Sequence, residues 1–185
     1  MARIKIVADS TADISAELSR ELDIEIIPTQ IQFGDQSFRA GGELGNDQVY
    51  QLIGDGRLRP RFLPPSVADV EQVLRKVTTR YDHVFAIHMA AQLSPIYRMV
   101  QQAVGRIPAT AAKVRIVDSK SFSAGLGNIV INAARAVQDG ASPGEVERLI
   151  MDTVAHTHYV FFVDSIDALE QAGCLEYTNN SISSF

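Results

Sequence analysis

The chain has 185 residues, 46% of them hydrophobic and 21% charged, and a formal net charge of -5 at pH 7. A chain of this length can bury a substantial core, and this composition belongs to globular proteins, not to disordered or membrane-spanning ones. The acidic balance excludes a general nucleic-acid binder, which carries a basic excess or stripe.

Residues 4–8 form the first apolar run, rich in Ile and Val and closed by Asp9-Ser10. Two further runs share this form, 114–117 before Asp118-Ser119 and 161–163 before Asp164-Ser165. Runs of this length predict strands buried on both faces of a parallel sheet. The first strand begins after three residues, which predicts no leader segment and a cytoplasmic location. Ile14, Leu18 and Leu22 then recur at helical spacing, with Asp13 as the expected N-cap. Residues 24–33 predict one extended segment, ending in the turn-like Gly34-Asp35, and residues 46–53 a short helix. Pro60, Pro64 and Pro65 predict a rigid loop, and the nearby Arg57, Arg59 and Arg61 a solvated surface.

Ser66 and Asp69 have the spacing of a capping box before the apolar stripe Val70, Val73, Leu74 and Val77. Residues 83–89 predict the next strand. Ser94-Pro95 reads as an N-cap followed by proline at the first helical position. Residues 113–138 predict a strand and a helix closed by Gly140, and Ser142-Pro143-Gly144-Glu145 a full capping box. Residues 159–163 predict a last strand, and the polar residues 176–185 an unsupported end. This alternation predicts an α/β fold, an open and mainly parallel sheet with helices on both faces. Right-handed crossovers would bring the Asp-Ser turns and residues 90–94 to one sheet edge, where ligands bind in such folds.

The candidate chemistry admits bland readings beside sharp ones. Asp9, Asp118 and Asp164 could converge on a metal or a phosphoryl group, but turn and cap duties explain them without either. Ser10 and Ser119 suit both a cap and a ligand cleft. His88 ends a strand, where it reads as a general base or as a packed histidine. His156 and His158 do not share a helical face and suit a helix terminus better than zinc. Gly125-Leu-Gly127 lacks the third glycine of a dinucleotide fingerprint, so close helix packing explains it better. Cys174 is the sole cysteine, which excludes an intrachain disulfide and a thiolate metal cluster.

Taken in order, these segments resemble bacterial DegV-family proteins. The resemblance rests on residues 6–13 (Ile-Val-Ala-Asp-Ser-Thr-Ala-Asp), Ile26-Ile27-Pro28, residues 31–34, and Leu93-Ser94 with Tyr97. It continues through Val117-Asp118-Ser119, Gly125-Leu-Gly127 and residues 161–163, followed by Leu169 and Gly173. The resemblance implies a protein without catalytic activity or cofactor that holds a long-chain fatty acid between two α/β domains. It also implies a partner, a fatty acid kinase that phosphorylates the presented carboxylate with ATP. On that pattern residues 1–160 are the lipid-binding domain, and 161–185 begin a second domain that is mostly absent.

The departures fall where the head group would be held. A Thr-Ser-Gln-Pro-Ser loop in the family is matched here by Phe62, Leu63, Pro64, Pro65 and Ser66. A Ser-Ser-x-Leu-Ser-Gly-Thr-Tyr segment is matched by residues 90–97, which begin Ala90-Ala91 and end Ser94-Pro95-Ile96-Tyr97. Gly173-Cys174-Leu175 stands where the family has Gly-Gly-Arg. A hydrogen bond to a charged group contributes ~1.5–3 kcal/mol, whereas each buried methylene contributes ~0.8 kcal/mol in gross terms. Tail binding thus outlasts the lost hydroxyls. The expected lining is Ser10, Phe62, Leu63, Ala90, Ala91, Ser94, Ile96 and Ser119, with Met99 beside the mouth. A missing tunnel wall would expose an apolar face and favour a homodimer or another partner. The alternatives are a small hydrolase or phosphoryl-transfer enzyme using the strand-end Asp residues or His88, and a degenerate domain with a structural or interaction role.

Overall fold

The computed structural model describes residues 2–40, 46–54, 60–160 and 162. In chain order its elements are β1 (Ile4–Asp9), a 3-10 turn (Ser10–Ala12), α1 (Ala16–Glu21), β2 (Ile24–Ile27), β3 (Gln30–Phe33) and β4 (Gln36–Arg39). There follow α2 (Asn46–Gly54), β5 (Pro60–Leu63), α3 (Val67–Thr78), β6 (His83–His88) and α4 (Ile96–Gly105). The last are α5 (Pro108–Ala111), β7 (Val114–Asp118), α6 (Ser123–Gln138) and α7 (Pro143–His156).

β2, β1, β6 and β7 lie side by side in that order as a parallel sheet. All six residues of β1 are buried, as a central strand covered on both faces must be. Alternate residues serve opposite faces. Ile4, Ile6 and Ala8 pack with Leu126, Ile129 and Val130 of α6 and with Val146 and Ile150 of α7. Val7 packs with Val70 and Leu74 of α3 and Val100 of α4. The predicted α/β layering is therefore what forms.

A second sheet, antiparallel and ordered β4-β3-β5, stands beside the C-terminal edge of the first. Its small core joins Ile31 and Phe33 to Phe38, Val49 and Leu52. Two expectations are corrected here. Residues 24–33 are not one strand; Pro28 and Thr29 separate β2 from β3, and the two halves enter different sheets. The proline-bounded loop carries β5, whose Pro60 opens an edge strand, a position that tolerates its missing N–H.

Side-chain caps open α1, α3 and α7, whereas α4 starts from Pro95 with no side-chain cap, so Ser94 is not the N-cap expected there. Ser142 and Glu145 form the reciprocal capping box. Ser66 Oγ accepts from the Asp69 N–H at 3.1 Å, but the Asp69 carboxylate takes the Ser66 hydroxyl and not its backbone N–H. Asp13 does not cap α1; it occupies the left-handed region at φ 51°, and Ser15 caps through the Leu18 N–H. Asp tolerates that backbone better than most side chains. A Cβ on Gly127 would lie 2.5 Å from the Ala12 carbonyl oxygen, so α6 approaches the 3-10 turn as closely as the glycine pattern suggested. The strand expected over 159–163 does not form in its described part, since 159, 160 and 162 lack regular structure. The Asp164-Ser165 turn, Leu169, residues 173–175 and 176–185 lie outside the described residues, as do Arg57 and Arg59.

Candidate functional site

The carboxyl ends of β1, β6 and β7 bring Asp9, His88 and Asp118 into one row. Parallel register pairs Ala8 with Ile87 and His88 with Asp118, so Asp9 falls level with His88 on the same sheet face. Both side chains are fully buried. Asp9 Oδ2 accepts from His88 Nδ1 at 3.0 Å and from the Met89 N–H at 3.1 Å. Asp9 Oδ1 accepts from the Thr11 N–H at 3.1 Å and from the Thr11 hydroxyl. Burial works to raise the Asp9 pKa, but the His88 hydrogen bond and charge, with Thr11 and the Met89 N–H, outweigh it and hold the carboxyl below its ordinary value. An ionised carboxylate only accepts, so His88 presents its proton at Nδ1. His88 Nε2 has no hydrogen-bond partner among the described residues.

Asp118 organises the neighbouring turn. Its Oδ1 accepts from the Ala91 N–H at 3.2 Å and the Lys120 N–H at 2.9 Å. Ser119 is buried within that turn; its hydroxyl donates to the Ser121 carbonyl at 3.0 Å and accepts the Ser121 N–H at 3.2 Å. The Ala90 N–H donates to the same carbonyl, which joins the β6 and β7 turns. These Asp and Ser residues thus hold the edge together, and among the described residues no three His, Cys, Asp or Glu side chains are grouped to hold a metal ion.

On the other side of β1, Ser10 Oγ accepts the Thr29 N–H at 3.0 Å and lies 2.7 Å from Thr29 Oγ1. Thr29 leads into Gln30, whose register partner in β5 is Leu63. The edge therefore runs from Leu63 and Thr29 through Ser10 to Met89 and Ala90, and on to Asp118 and Ser119. Ser94 follows, its hydroxyl accepting the Ile96 N–H at 3.3 Å. Ile96 is buried in the core between sheet, α3 and α4. Phe62 pairs with Ile31 but is 53% exposed, and Leu63 is half-buried. Ala90 is buried and Ala91 half-buried.

A hollow of about 230 Å³ opens here, lined by Ala90, Gln92, Asp118 and Lys120. A second, of about 260 Å³, shares Asp118 and Lys120 and extends to Tyr97, Arg115 and Met151. Of the eight residues expected to line a ligand cleft, Ala90 lines the first hollow; Ser10, Phe62, Leu63, Ala91, Ser94, Ile96 and Ser119 line neither. Sites for drug-sized ligands fill roughly 300–1,000 Å³, so the first hollow alone would seat only part of a long acyl chain. The Asp9–His88 contact and the Ser10–Thr29 pair were missed in the sequence. The aligned starts of the apolar runs 4–8 and 83–89 carried the signal for the former.

The model of the family described as "Uncharacterised protein, DegV family" matches residues 3–185. The chain belongs to the DegV family. It is 27% identical over 182 residues to a DegV domain-containing protein of Caldanaerobacter subterraneus subsp. tengcongensis, covering 98% of this chain and 64% of that protein. It is 28% identical over 173 residues to one from Deinococcus radiodurans, covering 92% and 59%. The chain thus spans about six-tenths of the length of these curated DegV relatives. Among solved structures, the fatty-acid-binding DegV-family protein of Thermus thermophilus superposes with a TM-score of 0.75 at 25% identity, covering 83% of this chain and 54% of that one. A stearic acid-binding protein from Eubacterium ventriosum gives 0.73 at 25%, covering 80% and 52%. A DegV-family structure from Ruminococcus gnavus, at 17% identity, covers the whole chain and 64% of its own with a TM-score of 0.82, a likeness of fold. No helix among the described residues is long and apolar enough to cross a membrane.

Proposed function

We propose that this DegV-family chain binds a long-chain fatty acid or related lipid at the carboxyl edge of its parallel sheet and catalyses no reaction. The state of the strand ends carries this reading. Asp9, His88 and Ser119 are buried in the turns they brace, and the edge offers small apolar Ala90 and Ala91 beside hydroxyls. That is a surface suited to a tail and a head group rather than to bond making. The fatty-acid binding of the Thermus thermophilus and Eubacterium ventriosum proteins, whose fold this chain shares, supports it.

On this reading residues 1–160 carry the lipid site together with Ser10, Phe62, Leu63, Ala90, Ala91, Ser94, Ile96 and Ser119, and 161–185 begin a second domain. The bound acid is presented to a separate fatty acid kinase. A partner such as a second copy is also part of this reading. Native mass spectrometry of the purified chain tests the central claim. A co-purified acyl species is expected, and a chain that carries none and takes up no added stearate would overturn it.

One observation favours a second reading. Asp9 behind His88, with Nε2 unpartnered among the described residues, resembles the orienting half of a nucleophile-activating triad. A general base must reach the proton it takes, however, and His88 is fully buried. An esterase assay with acyl nitrophenyl substrates separates the two readings: turnover abolished by His88→Gln would establish the hydrolase.

A further inference from the structure

Resting on the lipid-binding reading, we infer that the hydroxyls of Ser10 and Thr29 form the polar anchor for the ligand's head group, in place of the hydroxyls missing at Phe62 and Ala90. Hydrogen-bond arithmetic carries the inference. Two hydroxyls bring two protons. Ser10 Oγ already accepts the Thr29 N–H at 3.0 Å, and the 2.7 Å contact between the hydroxyl oxygens uses one proton. The other O–H is left over, and no described residue accepts it. A hydroxyl donor held in place with one proton unassigned is what a ligand oxygen requires.

The couple is also rigid and well placed. Thr29 is nine-tenths buried, its N–H is taken by Ser10, and its carbonyl accepts the Ala40 N–H at 2.9 Å. Ser10 is half-buried and follows Asp9, which is fixed by His88, Met89 and Thr11. The hydroxyls therefore bridge the two sheets, between Leu63 on one side and Ala90 on the other. The neighbouring Asp9 charge is met by donors on both oxygens, so a carboxylate at Ser10 does not face a bare anion. The group recognised is an acceptor oxygen, and an ionised carboxylate is favoured because hydrogen bonds to charged acceptors are about twice as strong as neutral ones.

The double variant Ser10→Ala/Thr29→Val in the full chain tests this, because either hydroxyl alone would still bring one proton to the ligand, and valine keeps the β-branched shape of Thr29. Equilibrium dialysis with radiolabelled stearate and with methyl stearate reads the head-group contribution, and thermal melting verifies the fold. Stearate affinity is expected to fall ~10- to 100-fold, the range for one hydrogen bond to a charged group. Methyl stearate should change less than about threefold. Stearate binding within about threefold of the parent would overturn the anchor and leave fatty-acid binding standing, as would equal losses for both ligands. A parent chain that binds neither ligand would overturn both.

Discussion

Replacing Asp9 by alanine would remove the acceptor for the His88 Nδ1–H, the Met89 N–H and the Thr11 N–H in a site with no solvent access. Leaving a buried donor without its acceptor costs about 1–3 kcal/mol, so three such losses cost upwards of about 3 kcal/mol, a large share of the roughly 5–15 kcal/mol that holds a domain folded. In a chain of this size the melting temperature should drop by roughly 6–20 °C. The loss depends on pH with a definite sign. Asp9 is held below its ordinary value in the fold, so its contribution is complete above the unfolded carboxylate pKa of about 4. It is lost as pH falls through the lower folded value. Parent and Asp9→Ala should therefore differ most near neutrality and converge on strong acidification. Asp9→Asn should fall between them, since its amide retains one acceptor oxygen but sets a donor against the Met89 N–H. Urea unfolding followed by circular dichroism at stepped pH measures all three. A parent-to-alanine gap under about 1 kcal/mol at pH 7, or one that widens toward acid, would refute the assignment of Asp9 as a buried, ionised brace.

At the opposite end of the sheet, buried Lys5 donates to the carboxylate of Asp23, which also accepts from the Tyr81 hydroxyl at 2.8 Å. Lys5→Met should change stability by less than about 1.5 kcal/mol, because an apolar side chain of similar volume avoids the desolvation of the ammonium. Burial is the strongest single influence on the Asp23 carboxyl and raises it, but the Lys5 and Tyr81 hydrogen bonds and the Lys5 charge together hold it below its ordinary value; without Lys5 it should rise, as an NMR titration would detect. Gly127→Ala should destabilise by about 1–3 kcal/mol in urea melts, since its Cβ would meet the Ala12 backbone oxygen, which cannot rotate away. Phe62→Asp should leave the melting temperature within a few degrees, because Phe62 is half exposed, yet weaken stearate retention in dialysis if this ring covers the acyl chain. Unchanged retention would remove Phe62 from the site.

The parallel sheet was legible because its signal is local. Residues 4–9 and 84–88 are buried on both faces, as a covered parallel sheet requires, whereas β7, expected to be buried likewise, lies at the sheet edge, where Val117 is buried and Arg115 exposed. Ser142, Pro143 and Glu145 announced α7 because a capping box is satisfied entirely within four residues. The small antiparallel sheet was hidden for the opposite reason. β3 and β5 are joined through pairings some thirty residues apart, such as Ile31 with Phe62, and Pro60 disguised a strand as a loop. The site was half legible on the same grounds. Each of Asp9, Ser10 and His88 announces itself at a strand end, but the partner that fixes what each does lies elsewhere in the sequence. For Asp9 it is His88, 79 positions on, and for Ser10 it is Thr29, 19 positions on. Asp9 illustrates the consequence. Alone it reads as a turn or cap residue, with a metal or phosphoryl-transfer site as the sharper alternative; with four donors around its two oxygens it has no lone pair readily offered to a substrate. Ser10 runs the other way, from an ordinary turn residue to one half of a hydroxyl couple with a proton to give. The functional weight of this edge thus shifts from its carboxylates, which the strand pattern made conspicuous, to its hydroxyls, which only the crossing of two sheets brings together.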